Sequence, residues 1–320
     1  MNDDFNMPED PSEEEESFKK IIEPTMSPLA AAFTGLAVVF VLYQIGGSIL
    51  TLIIFGFDLE SANINAMRLM TVGGQILFIL VPALVFAKLI YEDVGTIIRF
   101  KIPNIKEVGA FVFGLILLAP LLQSYLYLQN FLINKLAENF HVVHTIKDML
   151  DSLDKLVNET YSELLRSNSI FEASFIIVVV AVVPAICEET FFRGFVQQSF
   201  EFRIKPIWAA LITAIFFALY HFNPYGMIAL LILGFFFGFA AYRSNSIFIP
   251  IILHFTNNLI AIVTFFLLGE EEFIQSEVTD PNQIGFSLFL FIIFLLLFVG
   301  YIFILNKYYS KIERSHHDLP

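Results

Sequence analysis

Long apolar runs separated by short polar segments make up most of this chain. A helix needs about 20 apolar residues to cross the hydrocarbon core of a bilayer, and eight runs approach or exceed that length. The fifth and sixth are short and separated only by FNPY, so this hairpin is short enough to end inside the bilayer. The pattern predicts an all-α fold, a polytopic integral membrane bundle of about eight transmembrane helices. The runs lie at about 29–55, 68–92, 107–130, 171–200, 207–222, 226–243, 247–268 and 284–306.

The amino-acid composition also indicates a membrane protein. Hydrophobic residues are 57% and charged residues 15% of the 320, with a mean hydropathy of +0.73, whereas soluble domains average about 45–50% apolar and about 25% charged residues. The single cysteine, Cys187, excludes an internal disulfide framework and a multi-cysteine metal site. The net charge of -13 argues against binding to nucleic acid, which needs a basic face.

The loops between the runs differ in charge, and this difference predicts the orientation. Alternating helices place the basic loops on the same side as Lys19 and Lys20, while the opposite loops, DLESANINAM and EEEFIQSEVTD, are acidic or neutral. Because basic loops favour the cytoplasmic side, we expect both termini in the cytoplasm and the protein in a plasma or inner membrane. The basic loop residues are Lys88, Arg99, Lys101, Lys106, Arg203, Lys205, Arg243, Lys307, Lys311 and Arg314.

The same pattern divides the chain into five segments. Residues 131–169 fall on the outer side with the spacing of an amphipathic helical region packed on or near the membrane face. The acidic start of the chain is predicted to be a disordered tail. The segments are the cytoplasmic tail at 1–27, N-terminal transmembrane helices at 28–130, the outer segment at 131–169, a core rich in polar motifs at 170–270, and the last transmembrane helix with a cytoplasmic tail at 271–320.

Three charges interrupt the apolar segment AVVPAICEETFFRG at 181–194. Each costs roughly 3 kcal/mol at mid-membrane on insertion scales, so the three must be paired or face water. Glu189 and Arg193 are four residues apart, on one helix face and within reach of an ion pair. Glu188 lies about 100° around the helix from Glu189, so it stays free when Glu189 pairs with the arginine. A free carboxylate in such a site suits a general base working near neutral pH.

Two further polar sites lie in apolar sequence. Phe217 and His221 are four residues apart in FFALYHF, and His254 and Asn258 are four residues apart in HFTNN. Counting about 1.5 Å per residue from the inner turns places His221 at the depth of Glu188, with Asn258 near that level and His254 lower. A lone polar residue of this kind usually joins helices, but four at similar depth on three helices predict a site.

Three short motifs occur in order along these helices. The residues that match them are Glu188, Glu189 and Arg193 in EExxxR, Phe217 and His221 in FxxxH, and His254 and Asn258 in HxxxN. In this order and spacing the chain resembles the CPBP intramembrane proteases, the CAAX proteases and bacteriocin-processing enzymes also called the Abi family. The resemblance covers about residues 170–270, and its specificity comes from three motifs together, since each alone is weak.

The resemblance implies an endopeptidase inside a helical membrane bundle, acting on a peptide or protein substrate at the membrane. By this analogy Glu188 and His221 activate a water, while His254 and Asn258 stabilise the oxyanion. The other three motif residues have supporting roles. General chemistry agrees, because peptide hydrolysis needs a base for the water and donors for the developing oxyanion.

Two interpretations of that chemistry stay open. The family is usually described as metalloproteases, and Glu188, His221 and His254 could form a zinc site with one open position. The HExxH motif is absent, however, and a metal-free water activated by the glutamate accounts for the same residues.

Two other classes of function fit parts of the pattern. A proton- or ion-coupled transporter could use Glu188 and the histidines as a relay, although the halves of the sequence show no repeat symmetry. A non-catalytic membrane scaffold or bacteriocin immunity factor could retain the motifs for packing. The intramembrane endopeptidase is the hypothesis we favour.

Overall fold

The computed structural model describes residues 23–57, 62–167, 169–268 and 283–317. Most of the predicted acidic tail, with Lys19 and Lys20, lies outside these residues, as does the acidic loop around 270–280. The described chain folds into ten helices and contains no strand in those ranges. Their bounds are α1 Pro28–Phe55, α2 Ile64–Tyr91, α3 Val94–Ile97, α4 Ile105–Asn139, α5 His141–Leu165, α6 Ile170–Glu201, α7 Pro206–Tyr220, α8 Met227–Ser244, α9 Phe248–Leu268 and α10 Ile284–His317.

Seven of the described helices are long and apolar enough to cross a membrane, namely α1, α2, α4, α6, α8, α9 and α10. The predicted polytopic helical bundle is therefore confirmed. The remaining predicted run, the fifth, corresponds to α7, which has 15 residues and is thus about 22 Å long. Since the hydrocarbon core is about 30 Å thick, α7 is too short to cross it upright, as its short apolar run indicated.

The described helices contain two large apolar cores, which meet at α6 and α8, and a smaller third cluster between α5, α6 and α9. The first joins α1, α2, α6 and α7, and the second joins α4, α8, α9 and α10. Both are rich in phenylalanine, with Phe195 and Phe111 fully buried in the first and second core, respectively. The polar motifs of α6 lie at the boundary between the cores, where neighbouring helices surround them.

Wide π-helical turns interrupt three of the helices around that boundary. They lie at Val41–Gly46 in α1, Ile76–Leu80 in α2, and Ile177–Val182 and Thr190–Val196 in α6. A π turn inserts an extra residue and changes the direction of the side chains beside it, and such turns are frequent at functional sites. Glu188 lies between the two π turns of α6.

Two glycines let α8 approach α6 and α7 closely. A Cβ atom at Gly234 would lie 2.9 Å from Cδ1 of Phe217 and 3.1 Å from Nη2 of Arg193, and one at Gly238 would lie 2.7 Å from Oε1 of Gln197. The backbone carbonyls of both glycines accept hydrogen bonds from side chains of α6. Gly234 accepts from Arg193 Nη2 at 3.1 Å, and Gly238 accepts from Gln197 Nε2 at 2.9 Å. Small residues at a helix interface thus permit polar contacts as well as close packing.

The predicted outer segment consists of two pieces. Residues 131–139 continue α4, and after a break at Phe140 the amphipathic helix α5 runs over His141–Leu165. The buried side chain of Arg68 in α2 connects α2 to the end of α5, because its Nε donates a hydrogen bond to the Leu164 carbonyl at 3.1 Å. The position of α5 on the outer side stays a prediction.

The middle of α5 contacts the turn between α7 and α8. Asp151 accepts hydrogen bonds from Lys147, at 2.6 Å, and from the hydroxyl of Tyr225. Burial would raise the pKa of Asp151, but the two hydrogen bonds outweigh it and leave the pKa below its ordinary value. The turn that follows α7 is thereby fixed from the α5 side.

A larger side chain at Gly238 should destabilise the bundle. In Gly238→Leu the new side chain would meet Ala210, whose Cβ lies 3.0 Å from the position of a Cβ at residue 238. Overpacking of this kind costs about 1–3 kcal/mol, so we expect a lower midpoint of thermal unfolding in detergent. Gly300→Leu in α10 is the matched control, because nothing lies within 4 Å of a Cβ there. Equal midpoints for the two variants would contradict the close contact.

Candidate active site

Glu188 and His221 face each other across a short gap. Glu188 Oε2 lies 3.9 Å from His221 Nε2, and the two side chains are 13% and 27% exposed. Within the described residues Glu188 Oε2 has no hydrogen-bond partner. The shared depth of Glu188 and His221 predicted from residue counts is confirmed; both side chains are partly exposed, while the Oε2 atom itself is buried.

The backbone of α7 fixes which nitrogen of His221 points toward the glutamate. His221 Nδ1 lies 2.7 Å from the carbonyl oxygen of Phe217. Because a carbonyl oxygen only accepts, Nδ1 carries the hydrogen and Nε2 of the neutral ring is an acceptor. Glu188 therefore faces the acceptor nitrogen of His221.

Glu189 has a different environment from its neighbour. Its Oε1 accepts from Arg193 Nη1 at 2.7 Å and contacts His254 Nδ1, also at 2.7 Å. The side chains of Glu189 and Arg193 are both 0% exposed. The ion pair predicted from the i, i+4 spacing is therefore formed, and it leaves Glu188 as the accessible carboxylate of the two.

Phe217 joins these groups through its ring. The guanidinium carbon of Arg193 lies 4.3 Å from the ring centroid, within the range of a cation–π interaction. The rings of His221 and His254 lie 4.4 and 5.9 Å from the same ring. A single buried phenylalanine thus separates the two histidines and fixes the position of both.

Asn258 contacts the backbone of α6 and neither Glu188 nor His221. Its Nδ2 donates to the Val180 carbonyl at 2.9 Å. Val180 lies in the π turn Ile177–Val182, shortly before Pro184, which has no N–H to donate. Asn258 thus supplies a donor to an irregular stretch of helix, as neighbouring helices often do in membranes.

The depth count was wrong for the α9 residues. It placed Asn258 level with Glu188 and His254 lower, whereas His254 contacts Glu189 and Asn258 contacts Val180, eight residues before Glu188. The count assumed straight, parallel helices, and the π turns of α6 break that assumption. One N–H of the Asn258 amide is still available to a substrate.

Sequence analysis missed Gln75 and Tyr43. Gln75 Nε2 donates to Glu188 Oε1 at 3.0 Å and to the Tyr43 hydroxyl at 3.1 Å. Both residues lie outside the three motifs, in α2 and α1. The available signal was a lone amide in a long apolar run, preceded by Gly73 and Gly74.

The described side chains do not present a ready-made metal site. No group of three or more His, Cys, Asp and Glu side chains in the described ranges is arranged to hold a metal ion. Of the proposed ligands, Glu188 and His221 face each other, but His254 directs Nδ1 to Glu189. The three proposed ligands therefore form no assembled zinc set among the described residues, although Nε2 of His254 is not engaged by Glu189; zinc dependence stays a prediction.

Comparison with known proteins identifies the central part of the chain. Residues 170–260 match the model of the Rce1-like family, described as type II CAAX prenyl endopeptidase Rce1-like. The matched segment is less than a third of the 320 residues and contains all three motifs. No curated protein and no solved structure matches the chain. The match confirms the resemblance drawn from the motifs and supports a CAAX-type intramembrane endopeptidase as the general class.

Removing Arg193 should destabilise the protein strongly. Arg193→Met leaves Glu189 buried without its ion-pair partner, and breaking a buried pair costs about 3–5 kcal/mol. The double variant Glu189→Gln/Arg193→Met should recover part of the loss, because no unpaired charge remains. Thermal unfolding in detergent measures both effects.

The control for that comparison is an exposed pair. Lys135 and Glu138 lie 3.0 Å apart with side chains 55% and 62% exposed, so Lys135→Met should cost no more than about 1 kcal/mol. If Arg193→Met were as stable as Lys135→Met, the buried pair would not have the structural role that its contacts indicate.

Proposed function

Because residues 170–260 match a family of membrane endopeptidases, we propose that this chain hydrolyses a peptide bond of a membrane-associated substrate with a water activated by Glu188 and His221. The observation that carries the proposal is the 3.9 Å gap between Glu188 Oε2 and His221 Nε2. Both atoms are acceptors in the neutral-histidine state, and neither hydrogen-bonds to the other. Two acceptors at this distance favour a molecule that can donate one O–H hydrogen to each of them, as water can.

In this proposal one water bridges Oε2 and Nε2. With hydrogen-bond lengths of about 2.8 Å to both atoms, its oxygen lies to one side of the line that joins them. Its two hydrogens then point at these two acceptors, and its lone pairs point away from them. This orientation is the one a nucleophilic water needs.

The hydrolysis balances with the groups present. The water oxygen attacks the carbonyl carbon of the scissile bond, and Glu188 accepts one proton of the water. His221 Nε2 accepts a hydrogen bond from the other O–H. When the C–N bond breaks, the proton returns from Glu188 to the leaving nitrogen. The products are a new carboxylic acid and a new amine; the acid then loses its remaining proton to the amine or to solvent, and no oxidant or further reactant is required.

His254 and Asn258 are the proposed oxyanion donors. Asn258 can donate its second amide hydrogen, because Val180 takes only one. His254 Nδ1 bonds to Glu189, so its Nε2 donates only when the ring is protonated.

The name of the family suggests prenylated proteins with a CAAX terminus as substrates, and such tails are the first class to test. The wider resemblance also includes peptide maturation and bacteriocin self-protection. The proposed site serves any of these substrates, because the water and its two partners act on the peptide bond alone.

Glu188→Gln should abolish proteolysis without unfolding the protein. The amide keeps an acceptor for Gln75 but cannot take a proton, and loss of a general base costs about 100-fold or more. Protein termini are compared by mass spectrometry in membranes of cells that express wild type or variant at matched levels. We expect a set of termini that depends on Glu188.

The matched control is Glu138→Gln, the same substitution at an exposed glutamate. It should leave those termini unchanged. Termini that are identical in wild type and Glu188→Gln, with the variant folded and still biologically active, would contradict the endopeptidase and favour the scaffold.

Metal analysis separates the two forms of the chemistry. Wild type and His221→Ala are purified without added metal and measured for bound zinc alongside activity. On the metal-free account, active wild type contains far less than one zinc per chain, and chelation leaves activity unchanged. One zinc per active chain, lost in His221→Ala, would contradict that account and support the zinc site.

A further inference from the structure

We propose that Gln75, in α2 and outside the matched segment, is a positioning residue that orients Glu188 toward His221. The proposal rests on the proposed function, because it assigns Gln75 a role only if Glu188 activates the water. It does not make Gln75 a catalytic residue, since the amide contacts Glu188 and not the reacting atoms.

The contacts of Gln75 are specific to this carboxylate. Its Nε2 donates one hydrogen to Glu188 Oε1 at 3.0 Å and the other to the Tyr43 hydroxyl at 3.1 Å. The residue is 4% exposed. Within the described chain, the bond from Gln75 is the hydrogen bond that Glu188 receives, and Oε2 has no such partner.

This arrangement distinguishes the two oxygens of Glu188. A carboxylate rotates easily about its last bond, because that torsion has a broad energy profile. The bond from Gln75 holds Oε1, so Oε2 is the oxygen directed at His221, 3.9 Å away. Without the amide, the buried carboxylate would have no donor and would turn toward other partners.

Only one of the two flipped orientations of the Gln75 amide is compatible with the contact to Glu188. A carboxylate accepts hydrogen bonds and cannot donate them, so the nitrogen of Gln75 must point at it and the oxygen must point away. Gln75 Oε1 has no hydrogen-bond partner within the described residues. The side chain is therefore held through its nitrogen, between Glu188 and Tyr43.

Local backbone geometry places the three residues together. Tyr43 lies inside the π turn Val41–Gly46 of α1, and Gln75 comes directly before the π turn Ile76–Leu80 of α2. Glu188 lies between the two π turns of α6. Three helices thus change their side-chain direction at the point where these polar groups meet, which is typical of a functional site.

The alternative is that Gln75 joins helices without any effect on the chemistry. Three other glutamines have that kind of contact. Gln44, Gln129 and Gln197 each donate to a backbone carbonyl of another helix or of the turn after α7, at 2.9 Å. Gln75 differs from them because it donates to the side chain of the proposed base. Gln129 is therefore a matched control for removing an interhelical amide.

The test measures steady-state kinetics of the full chain in lipid nanodiscs. The probe is a synthetic peptide that spans a cleavage site whose terminus depends on Glu188 in membranes. Gln75→Met keeps the length of the side chain and removes its hydrogen bonds. Misplacing a catalytic group typically costs about 10- to 100-fold, so we expect kcat per folded molecule to fall by that factor with KM within about twofold of wild type.

Gln129→Met should leave kcat and KM within about twofold of wild type while lowering the thermal midpoint. A role in helix joining alone would lower the folded yield of Gln75→Met but not its kcat per folded molecule. If folded Gln75→Met turned over the peptide as fast as Gln129→Met, the positioning role would be wrong.

Gln75→Asn decides the question if Gln75→Met does not fold. It keeps an amide in the bundle but is one methylene too short to reach Glu188 Oε1, so it should show the same loss of kcat; full kcat would overturn the proposal. Failure of the proposed function looks different, because wild type itself would then produce no terminus that depends on Glu188.

Discussion

The ion pair between Glu189 and Arg193 is the interaction on which the centre of this bundle depends. Both side chains are fully buried between helices that are otherwise apolar, where an unpaired charge would be far more costly than on a surface. Arg193 meets this constraint with several partners, since it also donates to the Gly234 carbonyl and lies over the Phe217 ring. Those contacts determine how α6, α7 and α8 pack. They require a glycine at position 234 of α8, where a Cβ would lie too close to Phe217 and Arg193.

The same pair separates two adjacent glutamates into different roles. Glu189 is committed to Arg193 and His254, whereas Glu188 points to the gap with His221. Neighbouring carboxylates with unlike environments are a common way to assign a structural and a chemical role within one motif. Because one helix turn holds both, the stable core also fixes the direction of the proposed base.

The parts of this arrangement that were predictable are local. The lengths of the apolar runs predicted the helical membrane bundle, and the i, i+4 spacing predicted the ion pair of Glu189 with Arg193. The contact of Glu188 with His221 followed from counting residues along two helices joined by a short turn. Gln75 was not predictable in this way, because its partner lies 113 residues away and a single amide in an apolar run usually joins helices. The contact of Asn258 with Val180 also depends on tertiary structure, since it joins α9 to a π turn of α6.

The most direct test is an experimental structure of the full chain in lipid at a resolution that shows ordered water. The account predicts one water within about 3 Å of both Glu188 Oε2 and His221 Nε2, with Gln75 bonded to the other oxygen of the glutamate. A Glu188 side chain turned away from His221, with no water shared between them, would contradict it.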